Sequence, residues 1–244
     1  MGTNFRPIKH LSSLGFKKST SEATLYIKHE DDDLLIISLY VDDLLITGGN
    51  AKLVEKFKRE MIQIFEMIDL GLMTYFLGMQ IKQLEDEVLI CQKKYAKEIL
   101  KKFHLEDCKE VTNPMNQKES LSKNDGADRV EEGYFQSLIG CLMYLTVSRP
   151  EILFSVSLLS LFMHCTTEMH LKAAKRVVRY IKGTIDFGVE FKKSQDFKLL
   201  GFSNSDWGGS VDHMKSTSGY CFSLGSGSFS RCSKKQDIVA QSTT

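Results

Sequence analysis

Two aspartates, Asp42 and Asp43, stand side by side inside an otherwise apolar stretch, LLIISLYVDDLLIT. Burying an ionised carboxylate without a partner is costly. The runs on either side, residues 34–41 and 44–47, have the length and composition of strands. A tight hairpin removes the conflict by lifting both carboxylates to its exposed tip. Oxygens clustered in this way suit a pair of Mg²⁺ ions ~3.5–4 Å apart, the arrangement that supports phosphoryl displacement by a hydroxyl. The plainer reading is a solvated turn, because Asp favours turns whatever its role.

Other combinations offer less. His164, Cys165 and His170 are close in sequence but have no acidic or thiolate partner to complete a metal site. Gly48–Gly49 and Gly208–Gly209 are not followed by Lys-Ser/Thr and read as turns, not phosphate loops. The six cysteines form no CxxC pair. Residues 170–182 divide into an apolar stripe, Ala174, Val177, Val178 and Ile181, and a basic side, Lys172, Lys175, Arg179 and Lys182. That side suits phosphate contacts or is simply a solvated helix face.

The elements that must position these residues follow from periodicity. Strands are expected at 24–28, 34–41 and 44–47, and an amphipathic helix at 51–67 with Asn50 as its N-cap. Short strands follow across 74–83 and 87–92, then a helix over 93–104 with a lysine-rich outer face. A polar linker covers 112–132. Helices are expected over 134–147, beyond Pro150 to about 163, and over 168–182 with Gly183 as C-cap. From Val189 the pattern turns to strands separated by Gly and Ser. The 244 residues carry 32 basic and 31 acidic side chains, so any affinity for polyanions must come from local patches. No run reaches the ~18 apolar residues of a membrane span, and no signal peptide is evident, so a cytoplasmic or nuclear setting is expected.

Tyr40–Val41–Asp42–Asp43 in this context resembles the YxDD motif of reverse transcriptases of the copia type. DLGLMTYFLGMQI (69–81), the stretch 134–164, HLKAAKRVVRYIKGT (170–184), SDWGG, KSTSGY and SKKQ resemble later segments of the same family, in family order. The resemblance implies an α+β fold. It comprises a partial reverse transcriptase palm with an antiparallel sheet over 1–85, a mainly helical thumb and connection over 86–190, and an incomplete ribonuclease H-like sheet over 191–244. It implies Asp42 and Asp43 as Mg²⁺ ligands, Tyr40 beside the primer end, and Phe76, Leu77 and Gly78 in a primer-holding hairpin. Lys172, Lys175, Arg179 and Lys182 would lie along an RNA/DNA template–primer duplex, with deoxynucleotides as the other partners.

Three departures qualify that expectation. The family takes a third carboxylate from an earlier palm strand, whereas the only aspartates before Tyr40 are Asp31, Asp32 and Asp33. The ribonuclease H pattern S-D-x-D-W is here Ser203–Asn204–Ser205–Asp206–Trp207, with an amide at the metal-binding position. Arg231 replaces an expected Trp and should destabilise its sheet. The chain, which ends at Thr244 within the ribonuclease H pattern, is therefore expected to be inactive alone in both reactions. The alternatives are a non-catalytic nucleic-acid-binding module and a part of a longer active polyprotein.

Overall fold

The computed structural model describes residues 5–116, 121–194, 198–209, 212 and 214–239. The expected break in the ribonuclease H pattern at the end of the chain lies outside them. The chain forms two compact units, Met1–Leu72 and Met73–Thr244. The described residues make antiparallel sheets and six α-helices, a mixed α+β protein.

The first unit begins with helix α1 (Phe5–Ser13), which the sequence reading did not anticipate, and a two-residue strand β1 (Lys17–Lys18). Strands β2 (Leu25–Glu30), β3 (Asp33–Tyr40) and β4 (Asp43–Gly48) follow, then helix α2 (Ala51–Ile64). The sheet order is β1-β2-β3-β4, with neighbours antiparallel. Alternation decides the faces. Leu35 and Ile37 of β3 and Tyr26 of β2 are buried against Leu11 of α1 and Phe57 and Met61 of α2. Asn50 caps α2 as expected, its side chain accepting from the Lys52 amide. It also donates to Asp33 at 2.8 Å, which fastens the helix start to the far end of β3.

Among its described residues the second unit contains two sheets and four α-helices. Strands β5 (Tyr75–Phe76), β6 (Met79–Gln83) and β7 (Glu87–Cys91) precede helix α3 (Lys93–Lys102). Helices α4 (Glu132–Leu145), α5 (Leu153–Ser160) and α6 (Glu168–Gly183) follow, with Pro150 opening a short 3₁₀ turn before α5. Strand β8 (Gly188–Lys192) returns to pair with β7, giving the order β5-β6-β7-β8. Strands β9 (Leu199–Ser205), β10 (Thr217–Leu224) and β11 (Gly227–Lys235) form a separate sheet in the order β11-β10-β9. The β5–β6 hairpin, grouped with 1–85 in the sequence reading, thus packs within the second unit.

One apolar core joins the four helices. Leu138, Leu142 and Ile139 of α4, Ile99 of α3, Leu159 of α5 and Val177, Val178 and Ile181 of α6 are at most 1% exposed. Burial stabilises each by about 1.5–3 kcal/mol. Two local expectations change. Gly183 is the last residue of α6 and Thr184 the C-cap, its amide bonding Ile181. Arg231 does not sit as an unpaired charge: its guanidinium donates to the Thr146 and Val147 carbonyls just past α4. Those carbonyls are the negative end of the helix, and a cation there offsets its own desolvation.

Candidate functional site

The β3–β4 hairpin closes on Tyr40 and Asp43, which face each other across the strands, with Val41 and Asp42 as the two turn residues. Val41 has φ +52°, and Asp42 is not in the left-handed region. A positive φ at the first turn position alone is the type II′ pattern, which favours glycine there. A β-branched residue in that conformation is strained. The opposite hairpin, β2–β3, repeats the geometry at Asp31, φ +54°, where a short polar side chain tolerates it better. The strain at Val41 was not legible in the sequence, because no Gly or Asn marks the turn.

Asp42 and Asp43 are both exposed at this tip, and Tyr40 is 43% exposed. Alternation puts Tyr40 and Asp43 on the sheet face away from α2, since the intervening Leu35 and Ile37 point into the core. Asp33 starts the eight-residue strand β3 and Tyr40 ends it. At the rise of an antiparallel strand, Asp31–Asp33 therefore lie roughly 23 Å from the Asp42–Asp43 tip. Glu22 is nearer in topology, just before β2, but its Oε1 accepts the Thr24 amide at 3.1 Å and the Thr24 hydroxyl at 2.9 Å. The Thr24 amide and hydroxyl hold that carboxyl below the usual range. Among the described residues no group of three His, Cys, Asp or Glu is placed to hold a metal ion. Two adjacent hard oxygen donors fit Mg²⁺ in kind, which takes few carboxylates and keeps several waters.

In the second unit, Phe76 and Met79 close another two-residue turn, over Leu77 and Gly78. Both turn residues have positive φ, +48° and +75°, the type I′ pattern. The Tyr144 hydroxyl donates to the Leu77 carbonyl at 2.5 Å.

The four basic residues singled out on α6 separate. Arg179 Nε donates to the Lys109 carbonyl at 2.6 Å, and Lys182 Nζ to the Cys108 carbonyl at 2.8 Å. Both hold the segment after α3 against α6. Lys172 is exposed, and the Lys175 ammonium lies 6.0 Å from the Tyr134 ring centroid. His170, grouped in the sequence with His164 and Cys165, is buried at the start of α6. Its Nδ1 accepts the Thr167 amide at 3.1 Å, completing a capping box, while the Thr167 hydroxyl bonds Asp125 at 2.6 Å. Burial lowers the His170 pKa, opposed by Asp125.

In the β11-β10-β9 sheet, Asn204 is exposed and pairs with Gly219. Asp206 lies just past the end of β9, and its carboxylate accepts the Thr217 amide at 2.5 Å. It thereby ties the end of β9 to the start of β10.

Comparison with known proteins gives the class: the chain carries a reverse transcriptase domain. The family model described as reverse transcriptase (RNA-dependent DNA polymerase) matches residues 5–117. Over 235 residues, 96% of this chain, it is 34% identical to the retrovirus-related Pol polyprotein from transposon RE1 of Arabidopsis thaliana. It is 33% identical to the corresponding polyprotein from transposon TNT 1-94 of Nicotiana tabacum, again over 96% of the chain. The chain spans 16% and 18% of these two relatives. An uncharacterized mitochondrial protein of Arabidopsis thaliana is 36% identical over 86% of this chain and 87% of its own length. No solved structure matches. The chain belongs to the copia-type family of retrovirus-related transposon Pol polyproteins. Among the described residues, no helix is long and apolar enough to cross a membrane.

Proposed function

We propose that this chain carries the metal-binding hairpin and the helical part of an RNA-directed DNA polymerase. It would act on an RNA/DNA template–primer duplex and deoxynucleotides only with a further carboxylate from outside the chain. The observation that carries the reading is the tip itself: two adjacent exposed carboxylates on a strained two-residue turn, beside Tyr40. In this reading residues 1–85 are the partial palm, 86–190 the mainly helical thumb and connection, and 191–244 an incomplete ribonuclease H-like domain.

Asp42 and Asp43 would hold Mg²⁺, which when bound supplies a Lewis acid for the primer hydroxyl and the departing pyrophosphate. The chain's own work is positional. The type II′ turn presents both carboxylates to solvent, and Tyr40 stands on the same sheet face as Asp43, where it would meet the primer end. The distance of Asp31–Asp33 from the tip supports the view that this chain alone holds metal weakly and does not polymerise. The amide at Asn204 and the engagement of Asp206 with Thr217 support the absence of hybrid cleavage by this chain.

Primer extension tests the reading. The isolated chain should incorporate no nucleotide with Mg²⁺ present, and Mg²⁺-dependent incorporation would refute the two-carboxylate account. In a longer polyprotein containing this segment, Asp42→Asn and Asp43→Asn should each abolish incorporation. Full activity in either variant would remove the hairpin from the reaction.

A further inference from the structure

The Leu77–Gly78 turn is held from outside itself. Leu77 is a non-glycine residue at φ +48°, and it is 42% exposed at the hairpin tip. Such a conformation persists only where the surroundings impose it. Among the described residues, one side chain of α4 reaches the turn. The Tyr144 hydroxyl, at the last turn of that helix, donates to the Leu77 carbonyl at 2.5 Å. It also fills the space beside Gly78, where a Cβ would come within 2.1 Å of the hydroxyl oxygen. Glycine is thus required twice, by its φ of +75° and by the tyrosine.

Tyr144 is itself braced. Its ring meets Tyr95 of α3 edge-on, with centroids 4.9 Å apart. Its carbonyl accepts from Gln92 Nε2 at 3.4 Å, and Gln92 Oε1 accepts the Ser148 hydroxyl at 2.8 Å. Gln92, 2% exposed, lies between β7 and α3. A buried polar chain therefore runs from the helical core to Tyr144, and Tyr144 to the exposed turn.

We infer that Tyr144 is a positioning residue that fixes the Leu77–Gly78 tip for contact with the recessed 3′ end of a nucleic-acid duplex. The inference rests on the proposed reading of this hairpin as primer-holding. A turn held by its own sequence would need Asn-Gly or a similar pair. Here Leu occupies the first position, and its exposed side chain is presented by a constraint arising elsewhere in the fold. Rigid presentation removes the ordering cost that a mobile loop would meet on binding.

The test uses the purified chain, Tyr144→Phe and Gly78→Ala. Phe keeps the ring against Tyr95 and removes only the hydroxyl. Two measurements are made: hydrogen exchange of the 73–83 segment, and affinity for an RNA/DNA duplex with a recessed 3′ end against a blunt duplex of the same length. Tyr144→Phe should speed exchange in 73–83 while thermal unfolding changes little. It should weaken recessed-end binding roughly fivefold, the scale of one lost hydrogen bond, and leave blunt binding unchanged. Gly78→Ala should impair recessed-end binding more strongly. Its effect should shrink in the double variant, because the hydroxyl that meets the new Cβ is gone. Unchanged exchange in Tyr144→Phe, or equal weakening of both duplexes, would overturn the positioning role while leaving the hairpin reading in place. If the unaltered chain does not prefer the recessed end, the primer-holding reading fails and the inference with it. Exchange alone then still shows whether Tyr144 holds the turn.

Discussion

Arg231 of β11 donates through its guanidinium to the carbonyl of Val147 at 2.5 Å, and also to that of Thr146, just past the last turn of α4. Strand and helix are more than eighty residues apart in sequence, so this contact helps set where the β9–β11 sheet rests on the helical core. Arg231→Ala should cost about 1–2 kcal/mol in urea unfolding, less than a fully buried charged hydrogen bond because the site is partly open. Arg231→Trp should not restore it, since an indole offers one donor against two carbonyls. Stability equal to the unaltered chain in both variants would show that the contact contributes nothing.

His170 makes the second unit sensitive to acid. Its folded pKa lies below the ordinary value of about 6.5 because it is buried, with Phe162 stacked on its ring. Between the folded and unfolded values the unfolded chain binds more protons, so stability falls as pH drops from about 6.5 through the folded pKa. Protonation also converts Nδ1 from acceptor to donor, which breaks the capping box. His170→Gln keeps an acceptor for the Thr167 amide and cannot titrate. The unfolding temperature of the unaltered chain should therefore decline between about pH 7 and 5, and that of His170→Gln should be flat there. Asp125, its carboxyl lowered first by the Thr167 hydroxyl, contributes in a separate window below about pH 4.

Val41 stores strain at the Asp42–Asp43 hairpin. Val41→Gly removes the clash at φ +52° but loosens the unfolded chain, and the first effect should win by about 1 kcal/mol. Denaturant unfolding of the Met1–Leu72 unit within the whole chain reads this. A loss of stability would mean that the Val41 conformation is not strained.

The basic residues of α6 should separate by assay. Lys172→Ala and Lys175→Ala should weaken duplex binding and each reduce the salt dependence by roughly one unit of slope. Arg179→Ala and Lys182→Ala remove donors to the Lys109 and Cys108 carbonyls, so they should lower the unfolding temperature instead. Equal effects of all four on salt dependence would restore the single basic face expected from periodicity.

Strand and helix positions were largely legible because the apolar period changes where the structure changes: the alternation of β3, the N-cap at Asn50 and the stripe of α6 all carry local signals. The YVDD pair was legible for the same reason, since two carboxylates inside an apolar run must come to a turn. Helix α1 carries little local signal because FRPIKHLSS is short and its apolar stripe means little until a sheet covers it. The roles of Arg179, Lys182, Asp206, Arg231, His170 and Tyr144 were invisible in the sequence. Each is decided by a partner 3 to 85 residues away, and hydrogen bonds of that kind depend on which surfaces meet. Periodicity places a side chain on a face of its own element; only packing decides whether that face meets solvent, a carbonyl or a strained turn.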